Sequence, residues 1–119
     1  MRTFPGEPTS IAAARRFVAN ELADVGERLD AIVLLVSELA TNSVLHAASA
    51  FRLTIRRTAD EVCVEVCDDG GGSPAQQPHD VAAPSGRGLQ IVEALSDQWG
   101  VREQPPGKVV WFTVALPTD

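Results

Sequence analysis

No apolar run in this 119-residue chain approaches the length of a membrane span. The longest, Ala31–Val36, stops at Ser37-Glu38, far short of the ~20 residues that crossing a bilayer requires. No basic segment followed by an apolar one opens the chain, so the sequence reads as cytoplasmic rather than exported. Basic residues are in deficit, 10 Lys and Arg against 16 Asp and Glu, for a net charge of -6. General nucleic-acid binding, which needs a clustered basic surface, is therefore not expected, and a soluble acidic surface accounts for the charge. Cysteine is scarce. Cys63 and Cys67 share one face of a predicted strand, ~13 Å apart, beyond the ~7 Å that a disulfide spans between Cα atoms. With no metal-ligand partners nearby they read as two reduced structural thiols. A Gly-Lys-Ser/Thr phosphate loop, a zinc-ligand spacing and a Ser-His-Asp arrangement are all missing. So are internal repeats and linkers, which leaves one domain, 1–119, of ordinary size with 45% hydrophobic residues to build a modest core.

What is present is first a pattern of elements. Pro8 suits the first turn of a helix running to about Asp24, where Ile11, Ala14, Phe17, Val18, Leu22 and Val25 recur at helical spacing and Gly26 ends it. A second helix is predicted from about Leu29 to His46. Phe51–Arg57 alternates Phe51, Leu53 and Ile55 with Arg52, Thr54 and Arg56, a strand with one solvated face. A turn at Ala59-Asp60 leads to a second strand, Val62–Asp68. Residues 69–87 hold seven Gly and Pro and read as a long loop, a kind that is usually functional or disordered. A third helix is predicted from Arg87 to about Gln98. Strands Trp99–Arg102 and Val109–Leu116 follow, joined through Pro105-Pro106-Gly107. The order ααββαββ predicts an α+β two-layer α/β sandwich with a mostly antiparallel sheet.

Three polar segments interrupt that pattern. At about 100° per residue, Asn42 falls about 40° and His46 about 80° from Glu38 on the second helix. Leucines and valines occupy most of the remaining circumference, so the helix is expected to be largely buried. A lone Glu on a helix ordinarily faces water. Flanked by leucines, Glu38 and Asn42 are costly unless paired or lining a cavity. Glu38 then suits a general base or a water-orienting carboxylate, and Asn42 a neutral oxygen ligand for Mg²⁺. His46 suits the dipole at the helix end.

In the second strand Val62, Val64 and Val66 share a face that Asp68 continues. A carboxylate there requires a dedicated donor, and the exocyclic amine of adenine is one. Asp69 points the other way, toward solvent or the turn. The triglycine Gly70-Gly71-Gly72 follows a strand, yet Pro74, Gln76, Gln77 and Pro78 continue as loop, which excludes a Rossmann turn. Gly86-Arg87-Gly88 precedes the apolar positions Leu89, Ile91, Val92 and Leu95. Such glycines form either an anion site at a helix N-terminus or a hinge that caps it. Arg87 adds a charge for a phosphate or a partner.

With these motifs in order, the chain resembles the GHKL (Bergerat-fold) ATPases, a family spanning DNA gyrase B, Hsp90 chaperones, MutL proteins and histidine kinases. Glu38-Leu-Ala-Thr-Asn42-Ser-Val-Leu-His46-Ala looks like the N box, Asp68-Asp-Gly70-Gly-Gly72 like the first glycine box, and Gly86-Arg87-Gly88-Leu89 like the second. The closest likeness is to small serine/threonine kinases that act as anti-sigma factors, of the RsbW and SpoIIAB type, and extends from Phe4-Pro5-Gly6 to Gly107-Lys-Val-Val-Trp-Phe. The resemblance implies a mixed sheet backed by helices, with ATP and Mg²⁺ beneath a lid. It implies Glu38 as catalytic carboxylate, Asn42 as Mg²⁺ ligand and Asp68 as adenine acceptor. Gly70, Gly72, Gly86, Arg87, Gly88 and Leu89 would shape the lid and its phosphate contacts. The partners it implies are a sigma factor and a STAS-domain anti-anti-sigma protein phosphorylated on serine or threonine, with no nucleic acid or membrane contacted; a homodimer is one assembly open to it.

Two functions stay open on the residues. An intact Glu38/Asn42 pair favours an ATP-dependent protein kinase that also sequesters a sigma factor. The stretch 73–85 contains no lysine or arginine, which favours a nucleotide-gated module that holds a partner without phosphotransfer. A purely structural interaction domain would make all three motifs coincidental and ranks last.

Overall fold

The computed structural model describes residues 1–47, 49–69 and 87–116. Their strands are β1 (Arg2–Phe4), β2 (Phe51–Arg57), β3 (Glu61–Asp68), β4 (Gln98–Gln104) and β5 (Gly107–Ala115). The helices are α1 (Thr9–Glu21), α2 (Leu29–Asn42) and α3 (Arg87–Leu95). The sheet order is β1-β2-β3-β5-β4, and all four pairings are antiparallel. The expected α+β two-layer architecture is thus found, and among the described residues the sheet has no parallel pair.

Register explains where the core sits. Val62, Val64 and Val66 of β3 lie opposite Val114, Phe112 and Val110 of β5. All six are buried, with Leu53 and Phe51 of β2 beside them. The helices cover this face with Ala14 and Val18 of α1, Ile32, Leu35, Val36, Leu39 and Ala40 of α2, and Val92 of α3. Alternation sends Arg52, Cys63, Glu65, Cys67 and Trp111 to the other face, where they are half-buried. Burial and the Glu65 charge push the Cys63 thiol above its usual range, so it stays protonated, as a structural thiol should. No described helix is long and apolar enough to cross a membrane.

Several boundaries differ from expectation for local reasons. α1 ends at Glu21, where the Leu22 N–H bonds Val18 O, but Leu22 and Val25 still reach the core through the following turn. Gly26, at φ 78°, makes the left-handed step into a 3₁₀ turn, Gly26–Arg28, that feeds α2. α2 stops at Asn42 and widens into a π-type turn, Ser43–Ala47, rather than continuing regularly to His46. α3 ends at Leu95, because the Asp97 N–H bonds Thr113 O and draws the chain into β4. The short strand β1 has no alternation to betray it. Pairing with β2 and the stacking of Phe4 on Phe51, centroids 5.2 Å apart, create it.

Candidate functional site

The predicted site residues that the structure describes lie on α2, β3 and α3, and α2 packs against both of the others. Glu38 and Asn42, one turn apart, are half-buried. Beside them Leu34 and Leu45 are 42% and 63% exposed. The prediction that α2 is buried nearly all round is therefore corrected: its Glu38 side is open. That openness removes most of the desolvation cost of Glu38 and leaves its carboxylate accessible to a ligand.

Asp68 ends β3 on the core face, 4% exposed, as its place after Val62, Val64 and Val66 requires. Its donor is Lys108, whose Nζ lies 2.9 Å from Oδ2 and is itself only 12% exposed. The dedicated donor that this carboxylate was expected to need is thus present in the protein itself. From the sequence, the turn spans Pro105-Pro106-Gly107 and the strand begins only at Val109. Because β5 instead begins at Gly107, Lys108 stands directly opposite Asp68 in the ladder. The available signal was a lysine two residues before Val110, the same offset at which Asp68 follows Val66.

Gly107 is set equally tightly. A Cβ built there would sit 2.0 Å from Asp68 O and 2.8 Å from Oδ1. We expect Gly107→Ala to displace the end of β3 and cost about 1–3 kcal/mol, the usual range for overpacking, as read by urea denaturation. An unchanged midpoint would show that this end of the sheet yields freely.

Asp69 is exposed, as predicted, and Arg52 Nη1 reaches its Oδ1 at 3.3 Å. Its N–H also donates to Ser49 Oγ at 3.2 Å. These contacts hold the exit from β3 on its outer side, opposite Lys108. At α3 the helix does begin at Arg87, so Arg87, Gly88 and Leu89 form its first turn, where N–H groups with no acceptor inside the helix and the positive dipole end suit an anion. Gly70, Gly72 and Gly86 lie outside the described residues, as does the whole of the expected lid, about 73–85. Among the described residues no group of three or more His, Cys, Asp or Glu is placed to hold a metal. Asn42 would have to share any cation with oxygens of a bound phosphate, which matches the way Mg²⁺ is usually held.

A helix carrying Glu38 and Asn42, packed over an antiparallel sheet whose third strand ends in a buried acid, defines the class of the domain as a two-layer α+β fold. Comparison with known families carries this further: residues 4–114 match the histidine kinase-like ATPase domain. The chain belongs to that family, of the GHKL type, which implies ATP binding and usually Mg²⁺. A search of curated proteins finds no match.

Proposed function

We propose that this protein binds ATP·Mg²⁺ between α2, the end of β3 and the start of α3, and transfers the γ-phosphate to a serine or threonine of a STAS-domain partner. In the same reading it also sequesters a sigma factor. The observation that carries the proposal is the open, half-buried Glu38/Asn42 face of α2 packed beside a strand ending in buried Asp68. Asp68 accepts from the adenine amine. The first turn of α3 faces phosphate with its N–H groups. Asn42 would hold Mg²⁺ through its amide oxygen, and the cation would supply charge neutralisation at the phosphates. Glu38 accepts the proton of the partner's hydroxyl as its oxygen bonds to the γ-phosphorus, and the bond to the bridging oxygen breaks to release ADP. Substrate position and local charge supply most of such a rate, because phosphoryl transfer asks for little covalent chemistry from the protein.

A ligand that binds only the folded state stabilises it by RT ln(1 + [L]/Kd), about 2.7 kcal/mol at 100 times Kd. ATP with Mg²⁺ is therefore expected to raise the melting temperature by several degrees. No shift at millimolar nucleotide would remove the site assignment. The lysine- and arginine-free stretch 73–85 favours one second reading, a nucleotide-gated binder that performs no transfer. Absence of label on a bound, authentic partner, with the thermal shift intact, would select it.

A further inference from the structure

We propose that Lys108 is a second base-contacting residue of the nucleotide site, donating to N1 of an adenine whose amine donates to Asp68. The inference rests on the nucleotide reading above and adds a residue to it.

The helix-facing row formed by β3 and β5 is apolar through three successive cross-strand pairs, Val62 with Val114, Val64 with Phe112 and Val66 with Val110. At the fourth it becomes Asp68 with Lys108. Stability does not call for this change. Two charges taken out of water lose hydration that their attraction barely returns, and a well-packed apolar pair of similar volume commonly serves as well or better. The pair occurs at the one end of the row where the strand leaves the core for the nucleotide motifs. Gly107 presses the chain of β5 against Asp68 there, so Lys108 is held close rather than reaching across open space. Its ammonium has three N–H donors. Among the described residues one acceptor, Asp68 Oδ2, is within hydrogen-bond distance of it.

The pair therefore offers a carboxylate acceptor and an ammonium donor side by side. Adenine presents the complement on its Watson–Crick edge, with the N6 amine as donor next to N1 as acceptor. An enclosed base is commonly read by hydrogen bonds to this edge. A donor carried on the protein itself reads N1 directly, and it keeps the Asp68 carboxylate charge-balanced while the base enters.

The test compares ATP, 7-deaza-ATP and 1-deaza-ATP on the wild-type protein by calorimetry with Mg²⁺ present. The first two retain N1, whereas the third replaces it with C–H. A hydrogen bond to a charged donor corresponds to roughly tenfold or more in affinity, so 1-deaza-ATP is expected to bind at least that much more weakly than the other two. In Lys108→Met the ratio between ATP and 1-deaza-ATP is expected to fall to about one, and in Lys108→Arg to persist. A purely structural lysine would weaken all three nucleotides together and leave their ratios unchanged. Equal wild-type affinities for ATP and 1-deaza-ATP overturn the inference without any variant, even if Lys108→Met fails to fold. Failure of the wild type to bind any of the three overturns the nucleotide reading itself.

Discussion

Asp68→Ala is expected to lower the free energy of unfolding by about 3–5 kcal/mol and to abolish the rise in melting temperature caused by ATP. The two effects have one origin. Asp68 is 4% exposed and lies 2.9 Å from the ammonium of Lys108, itself largely enclosed. Truncating the acid leaves a buried cation with its nearest acceptor gone, and the desolvation of that cation is no longer offset. Lys108→Met strands the carboxylate in the same way and should also destabilise. The double variant Asp68→Leu/Lys108→Met removes both charges, so most of the lost stability should return, since apolar pairs commonly replace buried ion pairs at little cost. Nucleotide response should not return with it, because the acceptor for the adenine amine is absent. Urea denaturation and thermal shift on the four proteins separate these contributions. A double variant as unstable as the singles would mean that the ion pair is not the source of the loss. A double variant that still answers to ATP would remove Asp68 from the base site.

Glu38→Ala is expected to reduce phosphotransfer by about 10²–10⁴-fold while leaving ATP affinity and stability nearly unchanged, the range typical of removing a general base. Glu38 is half-buried on the open side of α2, between the exposed side chains of Leu34 and Leu45. Its removal opens no core cavity and strands no hydrogen-bond partner among the described residues, so folding has little reason to change. Alanine also suits a helix interior better than glutamate does. The measurement is transfer of label from γ-labelled ATP to the partner, run beside a thermal shift on the same samples. Undiminished transfer in Glu38→Ala would take the base role away from this residue. Loss of the thermal shift along with transfer would instead make Glu38 a binding residue.

These expectations draw on different kinds of legibility. Glu38 and Asn42 could be placed on one face from helical period alone, because α2 is regular between Leu29 and Asn42. Their accessibility could not be read the same way. The surrounding leucines suggested burial all round, yet Leu34 and Leu45 are exposed, which depends on how α2 packs and not on its period. Asp68 was legible as core-facing from the two-residue period of β3. Its partner was not, since Lys108 is 40 residues away and precedes the strand that the apolar pattern predicts from Val109. β1 was invisible for a similar reason: three residues ahead of Pro5 form a strand only because β2 offers an edge and Phe51 a stacking surface.

The chain by itself determined the periodic elements, the two-layer class and the position of each acidic site residue on its own helix or strand. Those follow from local sterics and from the spacing of apolar side chains, which act over a few residues. Only the tertiary structure decided what stands opposite Asp68 and which side of α2 stays open. It also decided that Gly107 must lack a side chain. Each of these depends on register or packing between segments far apart in sequence, where a shift of one residue in β5 would turn Lys108 to the opposite face of the sheet.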